Sequence, residues 1–448
     1  MDLPVSIHFD PLGNLYVGDR SVIRKITCYN SSIFPDYNGI GYIMSSGGQH
    51  EKTIDLETGV TLRAFGYNGN NQLISISDQF GNQTTVQRDG ITTNLTIDAD
   101  NHLTRITYPD GSYYGFENTA DGLATAKIQP EGNRFDHVFD SNGRITDFTD
   151  EEGGHWQFSR SVDANGDILA QVLTGEGNVS SYLDYTYSTG AFTSTTIDPT
   201  GADTLFARSD NGLTENKTLP CGTELDFKYG LDPEYKAKYV KETTETMPSA
   251  LEKVTIRNKN YEDTNSDDIP DLITETVTVN GKATSIENNV LQSQKTIISP
   301  EGRTASVFYD PVTLVTEGVS VPGLFDTSYG YDARGRLTSV DTNTRGIDLV
   351  YNTQGFLESI TDPEGHTFSF TRDDVGRVNA IDRPDLTTVG FAYDQNGNMT
   401  VLTNPATIDH GFGYNKVNLN SSYQTPLSGS YSYVYDKDRR LVQTNFPS

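Results

Sequence analysis

The fold class that the sequence predicts is all-β: repeated β-hairpins forming a curved shell, an open partial β-cage. Three observations predict it. Runs of about six residues mix apolar with polar side chains, as Ile145 and Phe148 do in Arg144-Ile145-Thr146-Asp147-Phe148, and read as half-buried strands. Glycine turns punctuate these runs, and Pro-x-Gly turns alternate with Asp-x-x-Gly turns. Finally, an aliphatic or aromatic residue returns once per pair of turns. Leu337, Leu357, Val378, Met399, Leu419 and Leu441 are spaced by 20, 21, 21, 20 and 22 residues. Leu103, Leu123, Ile145, Ile168, Phe192 and Leu213 are spaced by 20, 22, 23, 24 and 21. A period near 21 over two long blocks signals a repeat architecture. One hairpin is marginal alone, so each needs a similar neighbour to pair with.

Composition agrees. The 448 residues include 41 Gly and 25 Tyr, with a hydrophobic share of only 34%. That is too aromatic for a disordered chain and too lean for a thick core. The formal charge of -28 argues against nucleic acid and against anionic membrane surfaces as partners. Two cysteines, Cys28 and Cys221, exclude a disulfide framework and a structural zinc site, and they read as two unrelated buried thiols. No apolar run approaches the roughly 18 residues of a membrane span. The opening "MDLPVSIHFD" has neither the basic nor the apolar region of a signal peptide.

Along the chain, residues 1–27 precede the repeats and, at about 25 residues with no second copy, have nothing to stack on as a domain of their own. Residues 47–230 form the first repeat block, with "YPDG" at 108–111, "QPEG" at 129–132 and "DPTG" at 198–201 as its second turns. From 231 to 295 the beat is lost. "EKVTIRNK" and "TETVTVNG" read there as a longer, polar hairpin insert, and "LDPEYKAKYVKETTE" from Leu231 is a helix candidate of no more than a turn or two. Residues 296–448 form the second block, with "SPEG" at 299–302 and "DPEG" at 362–365.

The motif that carries the beat is Tyr-Asp-x-x-Gly-Arg-Leu, present as "YDARGRL" at 331–337 and nearly so as "FDSNGRI" at 139–145, "YDQNGNM" at 393–399 and "YDKDRRL" at 435–441. It resembles the YD repeat, also called the rearrangement-hotspot (RHS) repeat. That resemblance implies a YD-repeat shell, a hollow structure of coiled hairpins. In bacterial RHS proteins and insecticidal toxin complexes such a shell encloses a C-terminal toxin domain. In teneurins a similar shell belongs to cell-surface adhesion receptors. Leu3 to Ile26 is similar to an NHL propeller repeat through Phe9-Asp10, Gly13-Asn14-Leu15-Tyr16-Val17, Asp19 and Ile23-Arg24-Lys25-Ile26, which implies a β-propeller blade remnant ahead of the shell. The resemblance makes the chain a non-enzymatic structural segment of a secreted or cell-surface protein. Its partners are then the rest of its own parent polypeptide, meaning shell and C-terminal cargo, with a protein or carbohydrate ligand as a further candidate. The alternative is an extracellular adhesion scaffold of teneurin type. The chain stops at "QTNFPS", part-way through a repeat and short of the family's closing segment, so no self-cleavage is expected.

Candidate sites are few. Asp263, Asn265, Asp267, Ile269 and Asp271 place oxygen donors at positions 1, 3, 5 and 9 of a calcium-type loop, with a backbone carbonyl at 7. Position 6 is Asp268 where the standard loop has Gly, and position 12 is Thr274. Calcium is the one cofactor candidate. The seven histidines lie outside every metalloprotease and hydrolase motif and read as structural, as do the paired carboxylates of the turns. No catalytic residue is assigned. Trp156 and the tyrosines read as packing residues before sugar-stacking ones. Strand edges left open by a spiral sheet predict that the isolated chain self-associates.

Overall fold

The computed structural model describes residues 6–9, 15–18, 23–26, 31–36, 39–45, 47–69, 73–84, 87–88, 91–100, 102–265, 270–427 and 429–447. Short mixed runs with glycine at each end become antiparallel strands. Thirty-two of them, from Asn94–Ile97 to Leu441–Asn445, form one sheet in strictly sequential order. The first and last strands have one neighbour each, so the sheet is open. Six strands from Ser31–Pro35 to Gln83–Thr84 form a second sheet, and Ser6–Phe9, Leu15–Gly18 and Ile23–Ile26 a third. Among the described residues the sole helical element is the 3-10 turn Val290–Gln292. The stretch from Leu231 that offered a helix is a turn followed by the strand Lys238–Thr246.

The chain divides into two units: Met1–Thr85 with Thr186–Thr193 and Thr204–Gly346, and Val86–Tyr185 with Ser194–Asp203 and Ile347–Ser448. Residues 231–295 supply four of the longer strands of the large sheet. Glu252–Glu262 pairs with Leu272–Val279 in the register Thr255↔Val279 to Glu262↔Leu272, and the flanking strands pair with the repeats on either side.

The repeat motif can be explained residue by residue. Asp332 accepts the backbone N–H of Arg334 and Arg336 through Oδ1, at 2.9 and 3.0 Å, and so caps its own turn. Gly335 takes φ 75, a left-handed conformation closed to most side chains. Arg336 Nε donates to Asp332 Oδ2 at 2.7 Å, and Arg377 repeats this on Asp373 at 2.6 Å. The tyrosine sits where the register slips by one residue, a β-bulge, as at Tyr331, Tyr393, Tyr414 and Tyr435. Its hydroxyl reaches back fifteen residues to a carbonyl beside the previous bulge. Tyr331 donates to Thr316 O at 2.8 Å, Tyr393 to Val378 O at 2.8 Å, Tyr414 to Met399 O at 3.0 Å and Tyr435 to Asn420 O at 2.8 Å. Where the tyrosine is replaced, another donor takes the same carbonyl: Asn118 to Leu103 O, and Arg372 to Leu357 O. Each repeat therefore completes its predecessor. Replacing Tyr393, Tyr414 and Tyr435 by Phe is expected to cost about 1 kcal/mol each, nearly additively, in urea unfolding.

The core is thin. Among the described residues Leu56, Ala126, Ala237, Ile273 and Tyr309 are the buried apolar ones, and no large side chain is completely enclosed. Cross-strand aromatic stacks carry much of the remaining burial. Phe148 lies 4.5 Å from Trp156 and 5.2 Å from Phe135, and Tyr423 lies 5.3 Å from Phe412 and 5.9 Å from Tyr431, ring centre to ring centre.

Candidate functional site

A capped turn has satisfied its own carboxylate and still presents backbone N–H groups and two central side chains. In the second unit these meet other turns. Turns 129–132, 150–153 and 174–177 of the first block lie against turns 394–397, 415–418 and 436–439 of the second, more than 250 residues away. Gln129 Oε1 accepts from Nδ2 of Asn396 at 2.8 Å and of Asn418 at 3.2 Å, and Asn396 Oδ1 accepts from the Glu131 amide at 3.2 Å. One repeat on, Glu152 Oε1 accepts the Lys416 amide at 2.8 Å. A further repeat on, Glu176 Oε1 accepts the Lys437 amide at 2.8 Å. Asp438 replies from the other side: Oδ1 accepts the Glu176 amide at 3.1 Å, and Oδ2 accepts Thr174 Oγ1 and Asn178 Nδ2, both at 2.7 Å.

Two local departures from the repeat have their cause here. Asn418 and Arg439 stand where other repeats have glycine, at φ 62 and 63. A side chain in that region costs of order 1 kcal/mol or more. Both side chains reach across the clasp. Asn418 also accepts from Asn396 and Asn398, and Arg439 Nε donates to the buried Asp150 at 3.0 Å while its guanidinium lies 5.7 Å from the Trp156 ring. Gly154 and Gly175 complete the fit. A Cβ on either would stand 2.8 and 3.0 Å from the Lys437 carbonyl oxygen, so turn 436–439 can seat only on glycine at these positions.

Burial works against the charge of Asp438, but hydrogen bonds from Thr174, Asn178 and the Glu176 amide outweigh it and hold the carboxyl below its usual range. The clasp is thus built of side-chain oxygens, carboxylate and amide, facing N–H groups of the opposite turn.

The first unit has a related lock. Asp232, buried, accepts the amides of Glu234 and Tyr235 on Oδ1 at 3.0 and 2.9 Å and the Tyr261 hydroxyl on Oδ2 at 2.7 Å. Tyr235 donates to Leu56 O, Asn288 Nδ2 donates to Glu57 at 3.0 Å, and Lys259 lies 3.7 Å from Glu57. The Phe80 ring packs on the Gly335 turn, and Asn82 Nδ2 donates to Arg334 O at 3.0 Å. Burial, then the charges of Glu234, Glu57 and Asp232, push the Tyr235 hydroxyl up to about 12; burial and the bond to Asp232 push Tyr261 up as well. A folded-state value above the unfolded one stabilises below the unfolded value, near 10, and that contribution is lost as pH rises through the folded value. Cooperative loss of β-structure between pH 10 and about 12 is the expected result, with tyrosinate absorbance rising in step. Immediate, reversible ionisation of every tyrosine near pH 10 would contradict it.

Of the calcium-loop residues, Asp263 and Asn265 are exposed and Asp271 is buried, while Asp267 and Ile269 lie outside the described residues. Asp271 accepts the Thr264 amide at 3.1 Å and its hydroxyl at 2.6 Å, so its carboxylate closes the neck of the loop. Among the described residues no group of three or more His, Cys, Asp or Glu is placed to hold a metal. The histidines serve locally: His155 bonds Asp147, His366 bonds Asp362, and His410 bonds the Tyr423 hydroxyl. Cys221, read from sequence as a buried thiol, is instead exposed and unpaired, because it sits at the centre of turn 219–222. Cys28 lies outside the described residues. No helix among the described residues is long and apolar enough to cross a membrane.

Sequence reasoning did not find the clasp. The recurring glutamate before the turn glycine, at 131, 152 and 176, was the available signal. Nothing local names a partner so far along the chain.

Comparison with known proteins places these features in a family. Residues 33–448 match the family model described as Teneurin YD-shell. Mouse Teneurin-3 is 21% identical over 410 residues, covering 83% of this chain and 14% of that protein. Crystal structures of TcdB2-TccC3 are similar at a TM-score of 0.43 and 12% identity over 98% of this chain and 26% of theirs. The form without its hypervariable C-terminal region gives 0.45 and 12% over 90% and 23%. The chain thus spans about a seventh of the curated relative and about a quarter of these solved chains.

Proposed function

The chain belongs to the teneurin YD-shell family, whose shells are structural, and on that premise we propose that it is a non-enzymatic stretch of wall enclosing or presenting a C-terminal toxin domain in a secreted or cell-surface protein. The observation that carries the reading is the clasp. A sheet with so thin a core gains little from interior packing, and it becomes a barrier when turns far apart in sequence lock edge to edge. Its main partner is then its own parent polypeptide. The alternative, an adhesion scaffold of teneurin type, is favoured by the family model's own description and by the Teneurin-3 match.

Limited proteolysis of the parent polypeptide tests the first reading. The segment that follows the shell should resist protease in the intact protein and become cleavable when Gly154→Val opens the clasp. Equal cleavage in both proteins would refute enclosure. The three short strands within 1–27 support reading that segment as a propeller remnant. Calcium in the 263–271 loop is a further proposal, and calorimetric titration with calcium chloride of the wild type against Asp263→Ala decides it.

A further inference from the structure

The clasp has two halves, and each recurs elsewhere in the second unit without a partner turn among the described residues. One half is the turn with an acid or amide before its last residue: Glu131, Glu152 and Glu176 in the first block. The second block repeats it at turns 362–365 and 383–386, with Glu364 and Asp385 in that place; turn 404–407 shares the proline but has Ala406 there. Their side chains are open to solvent: Glu364 is 76% and Asp385 52% exposed. The other half is the turn capped by Asp or Asn whose first central amide meets the acid, as Lys416 after Asn415 and Lys437 after Asp436 do. The first block repeats it at turns 140–143 and 163–166, where Asn142 and Asn165 occupy the place of Asn396 and are exposed.

Strain singles out the same row. Leu386 and Thr407 stand at φ 63 and 60 where the clasped turns 129–132, 150–153 and 174–177 have glycine. In turns 415–418 and 436–439 the residues bearing that strain, Asn418 and Arg439, reach a partner turn. Leu386 bears it while 95% exposed to water, an arrangement that gains nothing in the isolated chain.

We propose that the second-block turns 362–365 and 383–386 dock the first-block turns 140–143 and 163–166 of a second copy of this chain, repeating between molecules the clasp made within one. Glu364 and Asp385 would accept the amides of Ser141 and Ala164, and Leu386 would cover the neighbouring turn. The contact joins unlike surfaces, so a second copy leaves both halves available again and association can continue beyond a dimer. Two chains of formal charge -28 repel, whereas carboxylate-to-amide bonds need no opposite net charge. Association should therefore strengthen as salt rises, the reverse of an ion-pair interface.

Sedimentation velocity of the full chain over about 1 to 100 µM, at about 0.05 and 0.5 M sodium chloride, tests this. The expected result is reversible self-association that grows with concentration and salt and is weakened at least about tenfold, or 1.4 kcal/mol, by the Glu364→Lys/Asp385→Lys double variant. Both substitutions are on exposed turns, and an unchanged circular dichroism spectrum checks folding. A monomer throughout overturns the proposal. So does association that survives the double variant and is lost with Val442→Lys on the last strand, because that pattern assigns the contact to strand edges.

Discussion

Asp438→Ala is expected to destabilise the second unit by about 2 kcal/mol, because truncation of this shielded carboxylate leaves two half-buried donors and one exposed donor without their shared acceptor. Thr174 Oγ1, Asn178 Nδ2 and the Glu176 amide all converge on this one carboxylate. A comparison fixes the interpretation. Asp198 also caps its turn, accepting the amides of Thr200 and Ala202, but its hydrogen bonds stay within that turn. Asp198→Ala should cost only about 1 kcal/mol, the worth of a cap. The single tryptophan, Trp156, stands at the clasp and reports on it directly. Urea unfolding followed by its fluorescence should separate the two variants. The pH dependence has a definite sign. The Asp438 carboxyl titrates below its unfolded value, near 3.9, so its contribution is complete above that value and is lost as pH falls through the lower folded one. The wild type should show an acid-induced change in Trp156 emission below about pH 4 that Asp438→Ala lacks.

Asp232→Ala is expected to have the largest effect in the first unit, about 3 to 5 kcal/mol. Here the loss is of a buried acceptor for the Tyr261 hydroxyl and for two turn amides. Tyr261→Phe alone should cost about 1 to 2 kcal/mol. In the double variant the hydroxyl that Asp232→Ala would orphan is gone, so the combined loss should fall short of the sum by about 1 kcal/mol. Strict additivity would mean that the two groups do not act as one lock.

Much of the fold was legible because its rules are local. The Asp and Gly of each turn act within five residues, as Asp332 and Gly335 do. The tyrosine acts on the neighbouring hairpin, and this is why the beat must be kept. What was not legible is what the turns do at long range. Glu152 and Lys416 meet because of how many strands lie between them, a distance that no motif encodes. Asn418 and Arg439 depart from the glycine rule and are the residues that grip the opposite turn. Cys221 was misjudged for a related reason. The rule that cysteines are buried assumes a core, and in a sheet with so few buried side chains a turn cysteine has nowhere to hide.

In the clasp, turns of one block donate backbone amides to carboxylates of the other. Residue-resolved hydrogen exchange at neutral pH tests this most directly. The amides of Lys416 and Lys437 occupy turn positions that water normally reaches, and their acceptors are Glu152 and Glu176. Both are predicted to exchange far more slowly than the Thr407 amide in the unclasped turn 404–407, although that amide too is bonded within its turn. Both should lose that protection in Gly154→Val. Exchange of the two amides at an unprotected loop rate in the wild type would contradict the clasp, and with it the reading of this chain as a stretch of wall.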